Sequence, residues 1–100
     1  MRYGRERGHG VAFLGNKIYV VGGIQSIRKC ERFDLQKEVW TELPDFDEYG
    51  SGVTLMGIKS RYVVGVGGRN DNFEYPDAQR FTQLDSLKLN KGWKILHLNV

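Results

Sequence analysis

Three side chains in this chain are of the kind that hold zinc or copper: His9, Cys30 and His97. They fall in three separate extended runs, with none of the short spacings that bring ligands to one ion, so no metal site is expected. Asp45-Phe46-Asp47-Glu48 has the charge of a calcium loop but lacks the loop's glycine and its terminal glutamate, and reads as a solvated connection. Gly65-Val66-Gly67-Gly68 has the composition of a phosphate-cradling turn, but no helix follows to offer its N-terminus. A Gly-x-Ser-x-Gly nucleophile elbow is absent. No catalytic residue and no cofactor is therefore expected. Recognition remains. The stretch from Arg69 to Gln83 sets Arg69, Asn70, Asp71 and Asn72 beside Phe73 and Tyr75, and Arg and Tyr are common anchors of protein interfaces.

Such residues need a frame. One hundred residues make one small domain with a modest core, burying roughly 60–65% of the unfolded surface. The net charge of +3 comes from residues 51–100, which carry seven basic and four acidic side chains; residues 1–50 carry eight of each. Neither half has a basic run, so nucleic acid is not the expected partner. A lone cysteine forms no internal disulfide and suits a reducing compartment, the cytosol or the nucleus. The N-terminus is charged and unlike a secretion signal, and no apolar run nears the ~20 residues of a membrane span.

The pattern along the chain is one of short extended runs divided by turn residues. His9–Leu14, Ile18–Gly23, Lys29–Leu35 and Val39–Leu43 are the first four, closed by Pro44, which cannot donate to a ladder. The order then repeats: strands are expected near 51–56, 61–68, 84–89 and 92–98. The double glycines Gly22-Gly23 and Gly67-Gly68 lie 45 residues apart and the tryptophans Trp40 and Trp93 lie 53 apart, the second unit having a longer middle loop. Four strands per period of about 45–50 residues point to propeller blades, here residues 1–48 and 49–100. A four-stranded sheet cannot bury both faces alone, so the two sheets are expected to stack. The double glycines are read as places where a strand ends with positive φ, or where radially packed sheets crowd together.

His9-Gly10, then Ile18 to Gly23, then Glu31-Arg32-Phe33-Asp34, Trp40 and Leu43-Pro44 together resemble a kelch repeat. Ser51-Gly52, Tyr62 to Gly68 and Trp93 resemble a second, with Leu84-Asp85-Ser86 standing where the acidic-x-aromatic signature of the third strand belongs. The likeness covers about residues 7–96. It implies an all-β chain of two four-stranded antiparallel blades of a β-propeller, with the ring not closed by this chain alone. It also implies that Phe33, Trp40 and Trp93 pack against neighbouring blades and that His9 is structural. Two blades leave two inter-blade faces open. The chain is therefore expected to be a fragment of a longer protein or part of an assembly, its ring closed by further blades or by other copies.

In the resembling family the loops joining strand two to three and blade to blade often meet a partner. Here these are 24–28, 69–83, 2–7 and 45–50, which adds Gln25, Ser26 and Arg28 to the residues above as candidate contacts for a protein partner. Many members are adaptors, some with BTB domains, and these residues contain no such domain. Others are enzymes, notably copper radical oxidases and a sialic-acid epimerase. The oxidase chemistry needs a Cys-linked Tyr and two nearby His, which this chain does not offer, so an enzymatic role would need residues outside it.

Overall fold

A computed structural model describes residues 9–23, 28–47, 49–70, 72, 74 and 81–96. These form eight strands: β1 (His9–Leu14), β2 (Lys17–Gly22), β3 (Cys30–Asp34), β4 (Val39–Leu43), β5 (Thr54–Ile58), β6 (Tyr62–Val66), β7 (Phe81–Asp85) and β8 (Lys94–Leu96), with a 3-10 turn at Leu89–Lys91. They make two four-stranded antiparallel sheets, β1-β2-β3-β4 and β5-β6-β7-β8, each in sequence order. Among the described residues no helix is long and apolar enough to cross a membrane.

The second sheet departs from the sequence expectation. Its third strand is Phe81–Asp85, not 84–89, and its first is Thr54–Ile58, not 51–56. Lys17 pairs with Asp34 and Tyr62 pairs with Asp85, so the two aspartates are equivalent. Thr82-Gln83-Leu84-Asp85 therefore stands where Glu31-Arg32-Phe33-Asp34 stands in the first sheet. Each aspartate ends its strand for a local reason. Asp34 Oδ1 accepts the backbone N–H of Gln36 and Lys37 at 2.9 and 3.0 Å, and Asp85 Oδ1 accepts that of Leu87 at 3.0 Å. Leu87, 75% exposed, belongs to this turn and not to the core.

One face of the first sheet meets the opposite face of the second. Ala12, Tyr19, Val21, Cys30 and Leu43 share a face by register, and they form one core with Val53, Leu55, Val63 and Leu84. The second sheet's inward strand positions match Val11, Ile18 and Phe33 of the first, which lie on that sheet's outer face. β1 lies against β5 and reaches β6, so the sheets converge at their first strands. A Cβ at Gly10 would lie 2.7 Å from the Val53 carbonyl oxygen, and one at Gly57 2.6 Å from that of Phe13. These lone glycines mark where the wedge narrows. Gly67 has φ 76° with nothing near its Cβ position, so conformation alone asks for glycine there. Gly68 has φ 108° and also lies against the Tyr49 carbonyl oxygen.

The sheets diverge toward their fourth strands, and Phe46 fills the gap. It is 1% exposed, and its ring meets that of Trp93 edge-on at 5.0 Å between centroids. Trp93 also donates its indole N–H to the Pro44 carbonyl at 3.1 Å. Continuing the β7–β8 register by one residue sets Trp93 opposite Leu84, as Trp40 is set opposite Phe33. Trp40 packs on Phe33 with the ring planes tilted 50° and the centroids 5.0 Å apart, but it lies on the outer face and is 39% exposed. Of the two tryptophans, Trp93 is the one that packs between the sheets of this chain.

Candidate functional site

The described bases of the two β2–β3-type loops and of the connection between the sheets lie at one end of both sheets. They are tied together by the backbone. Gly22 N–H donates to Lys29 O at 2.9 Å where β2 leaves the first sheet, and Phe46 N–H donates to Arg28 O at 2.7 Å. The second bond fastens the connection between the sheets to the foot of the β2–β3 loop. In the second sheet Ser51 and Arg69 exchange two backbone hydrogen bonds, at 3.1 and 2.8 Å, which extends the β5–β6 pairing by a bridge. Lys29 Nζ lies 3.3 Å from Asp45 Oδ1 in an exposed ion pair, worth little to stability.

Of the proposed contact residues, Arg28 and Asn72 are exposed, Arg69 is half-buried and Asn70 is buried. Gln25, Ser26, Asp71, Phe73 and Tyr75 lie outside the described residues, as do His97 and residues 2–7. Residues 81–83, read from sequence as loop, belong to β7. Asn70 is a hub. Its Oδ1 accepts the N–H of Asn72 at 3.0 Å and of Glu74 at 2.9 Å, and its Nδ2 donates to Glu74 Oε1 at 2.9 Å. Its own backbone N–H donates to Glu74 O at 3.0 Å. One carboxamide thus fixes the start of the long loop.

Sequence reading missed Phe46, hidden in an acidic stretch, and the cavity beside it. That cavity, about 270 Å³, opens between the diverging sheets and is lined by Arg28, Asp45, Phe46, Asp47, Thr82, Trp93 and Ile95. Thr82 Oγ1 is buried there with no hydrogen-bond partner among the described residues. The position matches Glu31 of the first sheet, so the only sequence signal was a threonine in place of an acidic residue. Among the described residues no three His, Cys, Asp or Glu side chains come close enough to hold a metal ion. Cys30 is buried and in no disulfide, its thiol donating to the Arg28 carbonyl oxygen at 3.7 Å.

The opposite end carries the perturbed charges. Arg61 grips Asp85 with two hydrogen bonds, Nε to Oδ1 at 3.0 Å and an Nη to Oδ2 at 2.8 Å. This fork holds the Asp85 carboxyl down to about 2 and raises the guanidinium's own affinity for its proton. Asp34 is lowered mainly by the backbone N–H of Lys37.

The repeat geometry and its register accord with the comparison of this chain with protein families, in which the kelch motif matches residues 7–46. The chain belongs to the kelch-repeat family. It is similar to Kelch-like protein 13 of human and of cattle, 32% identical in each case over 79 residues, or 71% of this chain and 12% of the relative. The mouse protein of that name is 30% identical over the same span. The chain thus spans about an eighth of the length of these kelch relatives. Among solved structures, a copper-bound fungal alcohol oxidase of the AA5 family is similar with a TM-score of 0.65 at 18% identity, over 87% of this chain and 18% of its own. That likeness shows the fold alone.

Proposed function

We propose that the two blades form part of a kelch propeller that presents its β2–β3 loops and the connection between sheets to a protein partner. The contact residues in this reading are Arg28 with Gln25 and Ser26 from the first blade, and Arg69, Asp71, Asn72, Phe73 and Tyr75 from the second. Asn70 acts by holding the long loop in place. The observation that carries the reading is the backbone frame under these loops. The Ser51–Arg69 pair and the Phe46–Arg28 bond anchor their feet to the sheets, the usual arrangement for recognition on a rigid scaffold. Names of the form Kelch-like protein 13 add family membership only, and the role proposed here is binding without a catalytic step. The test is affinity capture by the wild-type chain and by the pair Arg28→Glu and Asn72→Lys, with Lys59→Glu at the far end as control. A partner held by the wild type and the control but lost by the pair supports the surface. A partner held equally by all three overturns it.

A second reading rests on the two open faces. Val11, Phe13 and Trp40 are exposed on one side of the first sheet, and Met56, Ile58 and Leu96 on the far side of the second. These faces repeat the two that already meet, so each fits what the other lacks. We infer that further blades cover them, either from one longer polypeptide or from other copies. Light scattering on the chain separates the two. About three copies in a defined particle would close a six-bladed ring, whereas unbounded aggregation would mean that the missing blades belong to the same polypeptide.

A further inference from the structure

Two grooves occupy the same place in the two repeats, at the end of the sheets opposite the loops. In the first sheet Lys17, Arg32 and Lys37 surround Asp34 in a groove of about 330 Å³. In the second, Arg61, Lys88, Lys91 and Lys94 surround Asp85 in one of about 210 Å³. Both lie on the same face by register, since Asp34 faces Lys17 and Asp85 faces Tyr62. The second groove collects four of the seven cations of residues 51–100, the half that carries the chain's net charge. Arg61 is spent on Asp85. Lys88, Lys91 and Lys94 are exposed and make no ion pair among the described residues.

A neighbouring blade does not close such a groove. The face of the first sheet that carries it is the one the second sheet packs on, through Ala12, Tyr19 and Val21, and the groove beside that contact is open. The equivalent groove of the second sheet is compatible with a further blade in the same way. We propose that the groove of Lys88, Lys91 and Lys94 docks a carboxylate-rich segment of a protein partner, one rich in Asp and Glu. Three exposed ammonium groups, none of them in an ion pair among the described residues, supply the charge complementarity, although Lys88 also feels the Asp85 carboxylate. The cations are confined to this groove, and neither half of the chain has a basic run for a nucleic-acid backbone to follow. Tyr62, the aromatic ring among the groove's described lining, already carries the Arg61 guanidinium over its face at 5.2 Å, where a base would stack.

The test is fluorescence anisotropy with a labelled peptide of alternating Glu and Asp, alongside a single-stranded DNA of equal charge. The peptide should bind saturably and weaken with salt between about 50 and 300 mM, as exposed charges do. Lys91→Glu should weaken it severalfold and the triple Lys88→Glu, Lys91→Glu, Lys94→Glu by roughly tenfold or more, with an unchanged circular dichroism spectrum. Arg28→Glu, among the loops, should leave it unaltered, which keeps this surface separate from the one proposed above. No saturable binding, binding indifferent to the triple change, equal loss in Arg28→Glu, or tighter binding of the DNA would each overturn the proposal.

Discussion

The indole N–H of Trp93 meets the carbonyl of Pro44 at 3.1 Å, joining positions 49 residues apart in the chain. The bond pins the outer strand of the second blade to the segment that leaves the first, with Phe46 locked beneath. Trp93→Phe keeps an aromatic ring but loses the donor and the pyrrole part of the indole, and should cost about 1–3 kcal/mol. Phe46→Ala empties a buried aromatic site and should cost about 3–5 kcal/mol. Trp40→Ala, partly exposed on the open face, should cost less than Phe46→Ala in this chain. Urea denaturation of the three variants checks the order, and a Trp40 variant as unstable as the Phe46 one would contradict it.

At Gly57 the neighbour is backbone, the Phe13 carbonyl, which cannot swing away as a flexible side chain would. Gly57→Ala should therefore push β1 from β5 and destabilise the chain by about 1–3 kcal/mol. A melting temperature equal to that of the wild type would show that the two strands separate freely.

The Asp85 carboxyl is held from 3.8 down to about 2 by Arg61. The folded state then binds fewer protons than the unfolded one, so this contribution to stability is complete above pH about 4 and disappears as the pH falls toward about 2. Asp34 shifts in the same direction and works in the same acid range. Asp85→Asn should flatten stability against pH below about 4 without altering its shape near neutrality. Denaturation midpoints across that range read it directly, and an unchanged acid slope would count against the pairing.

Thr82 keeps a buried hydroxyl without a partner among the described residues. An unsatisfied buried group costs about 1–3 kcal/mol, so Thr82→Val should leave stability equal or raise it by about 1 kcal/mol. A clear loss would mean that the hydroxyl is hydrogen-bonded, with a water in the cavity as the natural candidate.

The alternation of apolar residues made the eight strands and their order legible, and the double glycines made the repeat so. The third strand of the second blade was misplaced because Leu84, Leu87 and Leu89 look like one continuing apolar run. The better marker was Asp85, which does in its turn what Asp34 does in the first blade; aligning those two aspartates recovers the register. Phe46 was invisible for a different reason. A single aromatic among Asp45, Asp47 and Glu48 has no periodicity, and its burial depends on a gap that only the angle between the sheets creates. The basic groove was equally hidden, since Arg61, Lys88, Lys91 and Lys94 form no run and meet only when β6, β7 and β8 are side by side.

The meeting of one sheet's front with the next sheet's back has no twofold axis. Such a head-to-tail contact does not limit itself: how many units follow is decided by the turn each adds about the common axis. Gly10 and Gly57 set how near the inner edges come, and Phe46 with Trp93 sets how far the outer edges splay. In a ring closed by further blades, a change of one methyl group at either place would alter that increment at this seam, and the other seams of the circle would have to absorb it.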